Sequence, residues 1–312
     1  MAAILTALIP VALIVALGHV MRRAFLRDPA HWMGMEQLTY YVLFPALLLV
    51  SAIRADLSKV SFAGVVGAYA VTLLILCAVL LALWPVLRRV NGMSGPAFTS
   101  LFQGVMRWNT YIALAVADGL YGPEGVAVAA VALVCLIPLV NVMAVGVLAR
   151  YAAATPPSLG AVVGQLARNP LIWSCAIGML INVTGIRLPS VLMEFADVLG
   201  RASLAVGLLV VGGGLALRSL ARPRFASLLA VVMTLLVKPA CTLAIGLAFG
   251  LRGMELTVIV LLAAVPSAPA GYVLARQMGG DAPLLAEILS LQILAAALTM
   301  PLVALVAMAV GG

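Results

Sequence analysis

Apolar runs long enough to cross a bilayer, joined by short polar links, make up most of this chain. A spanning helix needs about 20 predominantly apolar residues. By that ruler the sequence predicts ten spans, at 4–21, 38–53 with a kink at Pro45, 62–87, 97–117, 126–148, 170–183, 192–217, 225–249, 256–274 and 284–310. A polar link at 150–168, carrying Thr155, Pro156 and Pro157, divides them into five and five: 1–149 before it and 169–312 after it. The predicted fold class is an all-α polytopic membrane protein.

Two spans break the apolar pattern in their middle. The run 97–117 contains Arg107, Trp108, Asn109, Thr110 and Tyr111, and the run 256–274 contains Pro266, Ser267, Ala268, Pro269 and Gly271. A charge near the bilayer centre costs about 2.5–3.5 kcal/mol on insertion scales, so Arg107 has to pair or bind. Interrupted helices at matching places in two halves mark the binding site of a secondary transporter. The halves also match in detail. Pro10 and Gly18 correspond to Pro170 and Gly178, Asn109 to Ala270, and Pro138 to Pro301, at near-constant spacing. Five spans is an odd number, so the second half is expected to run inverted relative to the first.

Composition narrows the function. The chain is 65% hydrophobic and 9% charged, with mean hydropathy +1.23, where a soluble domain carries about 25% charged residues. The net charge of +8 does not predict nucleic acid, because the basic residues sit in short loops without interleaved aromatics. Eleven arginines fall in the first, third, fifth, seventh and ninth loops and five basic residues in the others. The positive-inside rule then places both termini outside and the 150–168 link in the cytoplasm. Cys77, Cys135, Cys175 and Cys241 each stand alone in apolar runs, which predicts neither a disulfide framework nor a metal site. No cofactor is expected. His19 falls near the end of the first span and His31 in the loop after it. The first apolar run reads as a retained span rather than a cleaved leader.

The candidate site follows from the breaks. An unwound point leaves a half-helix N-terminus with free N–H groups, a seat for a carboxylate. Asn109, Thr110 and Tyr111 stand there, and Arg107 offers a bidentate carboxylate contact or, more simply, a structural pairing. Pro266 and Pro269 lack N–H donors, so carbonyls around Val265 and Ser267 are expected to stand free for a substrate or cation; a structural kink is the plainer alternative. Asn141, Gln103 and Gln292 are lone polar residues whose default role is interhelical hydrogen bonding. Asn141 follows Pro138 and is counted with the site, as is Pro45. Lys238 is a possible coupling residue, with snorkelling or counter-ion duty as the alternative. Among the spans no carboxylate pair or Ser/His pair suggests an enzyme.

These residues resemble a family. Trp108-Asn109-Thr110 followed by Leu120-Tyr121-Gly122 is similar to the fourth-helix crossover of the auxin efflux carriers, which include plant PIN proteins and bacterial malonate-type carriers. So are Gly250-Leu251-Arg252-Gly253, Ala264-Val265-Pro266 and the Tyr272 to Arg276 stretch, with Pro45 at the second-helix proline. The resemblance spans essentially the whole chain. It implies ten helices in two inverted five-helix repeats, crossing helices four and nine, a small organic carboxylate anion as substrate, and a homodimer. Trp108 replaces the proline of plant members and the central loop is short, which points to the bacterial branch, in the inner membrane, and away from auxin. Proton or sodium coupling is left open. A sodium-coupled importer of bile-acid-carrier type, which shares this architecture, is the alternative.

Overall fold

In the computed structural model of the chain, the described residues are 2–54, 61–152, 160, 164, 168, 170–215, 222–268 and 270–311, and every regular element among them is a helix. Pro269 and most of the 150–168 link lie outside the described residues. Six helical stretches are long and apolar enough to cross a membrane: Pro29–Arg54, Phe62–Asn91, Gly95–Tyr151, Ser190–Gly213, Phe225–Ala248 and Ala282–Gly311. This is a multi-pass membrane protein.

Helix α1 is Ala2–Ala24. The second span begins at Pro29 rather than at residue 38. Asp28 caps it, its carboxylate accepting the Ala30 N–H at 2.8 Å, and a proline in the first turn suits a helix start. Helix α2 (Pro29–Leu38) therefore extends past the apolar run and takes His31 out of the expected loop. Pro45 does not simply kink this span. A π-turn over Thr39–Leu43 precedes α3 (Phe44–Arg54). Proline cannot donate to the ladder, and one wider turn accommodates the missing bond. The same device recurs at Pro239, where the π-turn Met233–Val237 separates α9 (Phe225–Val232) from α10 (Lys238–Ala248).

The remaining elements are α4 (Phe62–Asn91), α5 (Gly95–Met106), α6 (Thr110–Tyr151), α7 (Pro170–Thr184), α8 (Ser190–Gly213), α11 (Gly253–Ala264), α12 (Ala270–Met278) and α13 (Ala282–Gly311). Helix α6 is two helices joined at Gly122, whose φ of 59° and ψ of −148° turn the chain with no intervening loop. That left-handed φ favours glycine.

Contacts group the loops at two ends. At one end Arg22 donates to the Gly213 carbonyl, the Asp281 N–H donates to the Pro96 carbonyl at 3.2 Å, and Ser100 Oγ donates to the Asp281 carbonyl at 2.8 Å. Arg224 lies there too, bonded to Glu287 at 2.9 Å and Asp281 at 3.0 Å, while Ser227 donates to Glu287 at 2.6 Å. Glu287 is buried near the start of α13, an acidic group that the apolar reading of this span passed over. At the opposite end Arg54 pairs with Asp197, and the Ser61 N–H donates to Glu255.

Close glycine contacts are reciprocal between distant helices. A Cβ on Gly18 of α1 would collide with the Leu209 backbone of α8, and a Cβ on Gly178 of α7 would collide with the Leu49 backbone of α3. A shift of 160 residues carries Gly18 onto Gly178 and Leu49 onto Leu209. Glycine here lets two backbones approach, the usual device of membrane helix pairs.

Candidate functional site at two crossing breaks

Helices α5 and α11 enter from opposite ends. The α5 start lies beside Asp281, and the α11 start lies beside Ser61, at the far end of the long helix α4. Each has 12 residues, so at 1.5 Å per residue each reaches about 18 Å, a little over half of a hydrocarbon core of about 30 Å. Both stop in extended backbone, α5 at Arg107 (φ −80°, ψ 163°) and α11 at Val265 (φ −71°, ψ 149°). The two breaks touch: the Asn109 N–H donates to the Pro266 carbonyl at 2.7 Å.

Asn109 makes the first break. Its Oδ1 accepts from the Tyr111 N–H at 3.0 Å and the Ile112 N–H at 3.2 Å, which starts α6 as an N-cap. This consumes two of the free N–H groups expected at that half-helix. Arg107 lies partly buried at the end of α5, with Nε donating to Gln103 Oε1 at 3.2 Å. Its side chain lies over Gly271, where an added Cβ would come within 3.1 Å of Arg107 Cδ.

The α5 carbonyls exposed by the break are taken by donors from other helices. Gln103 O accepts from Ser267 Oγ at 3.1 Å; Gly104 O accepts from Thr234 Oγ1 at 3.0 Å and Gln292 Nε2 at 2.9 Å. Lys238 Nζ donates to Val105 O at 2.9 Å and to Arg107 O at 3.4 Å. On the α11 side, Tyr69 Oη donates to Leu262 O at 3.3 Å and Gln292 Oε1 accepts the Ser267 N–H at 2.8 Å. Donors are what remain. Asn109 Nδ2 and Gln103 Nε2 are buried with no acceptor. The oxygens of both amides are already fixed by their bonds, so the leftover groups are N–H donors.

A helix chain entering the membrane from both ends, breaking mid-way and meeting backbone to backbone is the layout of a carrier. Residues 3–304 match a family described as membrane transport protein, the auxin efflux carriers. The chain belongs to that family. Members of it are transporters and not enzymes. Among curated proteins none matches the chain.

Within this auxin efflux carrier fold the expected site residues separate into groups. Arg107, Asn109, Pro266 and Ser267 meet at the crossing. Thr110 opens α6, half-buried, and Ala268 O holds the Gly271 N–H at 3.1 Å. The Pro266 carbonyl is not a free acceptor as expected, since Asn109 has it. Tyr111 leans away onto Phe44, the rings stacked with centroids 4.6 Å apart and planes 8° from parallel. Pro45 shapes that contact through the π-turn before it. Asn141 is half-exposed on the second part of α6, and no hydrogen bond among the described residues ties it to the crossing. Lys238 does not snorkel; it is fully buried against α5.

The sequence reading missed Thr234 and Tyr69 and underrated Gln103. The signal available for each was a polar atom in an apolar span. Two surface cavities, of about 440 Å³ and 480 Å³, lie elsewhere, at the end where Trp84 and Arg88 stand. The spare donors at the crossing are shut from solvent.

Proposed function

We propose that this auxin efflux carrier family member moves a small organic carboxylate anion across the membrane by alternating access, held at the crossing of α5–α6 with α11–α12. The observation that carries this is the imbalance of unmet groups. The carbonyls of Gln103, Gly104, Val105, Arg107 and Pro266 already hold donors, whereas Asn109 Nδ2 and Gln103 Nε2 are donors without acceptors beside the Arg107 guanidinium. A carboxylate is acceptor-only when ionised and complements that set. The N-terminal end of α6 adds partial positive charge.

The reading includes two inverted five-helix repeats, 1–149 and 169–312, which the exchanged pairs Gly18–Leu209 and Gly178–Leu49 support. It also includes the bacterial malonate-type branch, an inner-membrane homodimer and both termini outside, the last supported by the arginine distribution. No observation favours the bile-acid-carrier alternative.

A thermal-shift screen of mono- and dicarboxylates on wild type and Asn109→Ala tests the site. The variant is expected to lose the ligand-induced shift, and equal shifts in both proteins would remove the site from the crossing. Arg107→Gln is expected to weaken anions roughly ten- to a hundredfold, the equivalent of one charged hydrogen bond of about 1.5–3 kcal/mol, and to spare neutral analogues.

A further inference from the structure

Lys238 is the one fully buried basic side chain among the described residues. Among them no carboxylate pairs with it; the recorded ion pairs belong to Arg54, Arg201 and Arg224. Its ammonium is spent on main-chain carbonyls, Val105 O at 2.9 Å and Arg107 O at 3.4 Å, at the C-terminal end of a half-helix. That end carries about half a negative charge. Carbonyls of unwound backbone and half-helix C-termini are where secondary transporters bind a coupling sodium or proton.

We infer that Lys238 is a tethered cation that fills, permanently, the position a coupling monovalent cation would take at the end of α5. Carbonyls at the opposite half-helix end hold donors as well. Leu261 O accepts from the Val265 N–H at 3.1 Å, Leu262 O from Tyr69, and Pro266 O from Asn109. Gln103 O and Gly104 O are likewise taken by Ser267, Thr234 and Gln292. Each of these carbonyls already has a donor supplied by the protein. The partial negative charge at the end of α5 is then offset by the protein itself. The inference rests on the crossing being the transport site, and it specifies what holds the negative end of α5 there: a side-chain ammonium, so no free cation binds at that position.

The test uses the purified full chain in detergent with no anion present. Thermal midpoints are measured in sodium, potassium and N-methyl-D-glucamine chloride at equal ionic strength. Wild type is expected to melt at the same temperature in all three. Lys238→Ala frees both carbonyls; it should melt lower in the bulky cation and recover, on the order of a few degrees, in sodium or methylammonium. Lys238→Arg keeps the charge and should show no recovery. A sodium-specific rise in the wild-type midpoint overturns the inference, as does Lys238→Ala being equally unstable in every salt. Where Lys238→Ala yields no folded protein, Lys238→Met decides beside the wild-type series: wild-type stability in that variant would mean no cation is needed there. Because these melts contain no carboxylate, they stand or fall separately from the choice of cargo.

Discussion

At the first break a side chain of the break itself starts the next helix; at the second, neighbouring helices supply the partners. Asn109 caps α6 with its own Oδ1 and lends its N–H to Pro266. Around Pro266 there is no equivalent cap among the described residues: the Ser267 N–H relies on Gln292 of α13, and the Leu262 carbonyl relies on Tyr69 of α4. The first break therefore keeps spare donors and a guanidinium, whereas the second is spent on holding its shape. Two interruptions related by position need not share a job: on the proposed reading one grips the anion and the other supports.

The largest effect that would break this contrast is expected from Gln292→Leu. Gln292 serves both breaks, and its loss leaves the Ser267 N–H without its partner and strips donors from Gly104 O and Ala230 O. Gly104 O keeps Thr234 and Ala230 O keeps the Met233 N–H, so the loss is roughly 1–3 kcal/mol for the unpaired Ser267 N–H plus about 0.5–1.5 kcal/mol for each other bond removed, read as a large fall in the melting midpoint in detergent. Next, Asn109→Ala and Ser267→Ala sharpen the comparison. Both should destabilise by about 1 kcal/mol; only the Asn109 variant should lose carboxylate binding, measured by titration calorimetry. If the Ser267 variant lost it equally, the division of labour would be wrong. Gly18→Val and Gly178→Val should each destabilise by roughly 1–3 kcal/mol from overpacking, and by similar amounts, since each collides with the corresponding backbone. A wide disparity in their melts would count against the repeat. Smallest is Tyr69→Phe, which removes one 3.3 Å bond to Leu262 O and should cost about 0.5–1.5 kcal/mol.

Much of this was legible in the chain because a bilayer leaves few options. Apolar run length marked the chain as helical and multi-pass, and a charge and an amide inside the run 97–117 marked the break at Arg107 and Asn109. The start of α2 was missed, because Asp28 and Pro29 begin a helix by capping and not by hydropathy. The partners of the freed carbonyls were not readable either. Lys238 and Val105 lie far apart in sequence, as do Gln292 and Gly104, and only packing of separate helices joins them. Spacing could say that acceptors would be exposed at Pro266; it could not say that Asn109 would already hold one.

The Phe44–Tyr111 stack has a mechanical side. Stacked aromatic faces add attraction beyond the area they bury. Tyr111 sits on the first turn of α6, and Phe44 begins the helix after the π-turn, with Gly207 leaving both rings room. The stack therefore fastens the first turn of α6 to the start of α3, and a Cβ on Gly207 would press on both rings at once.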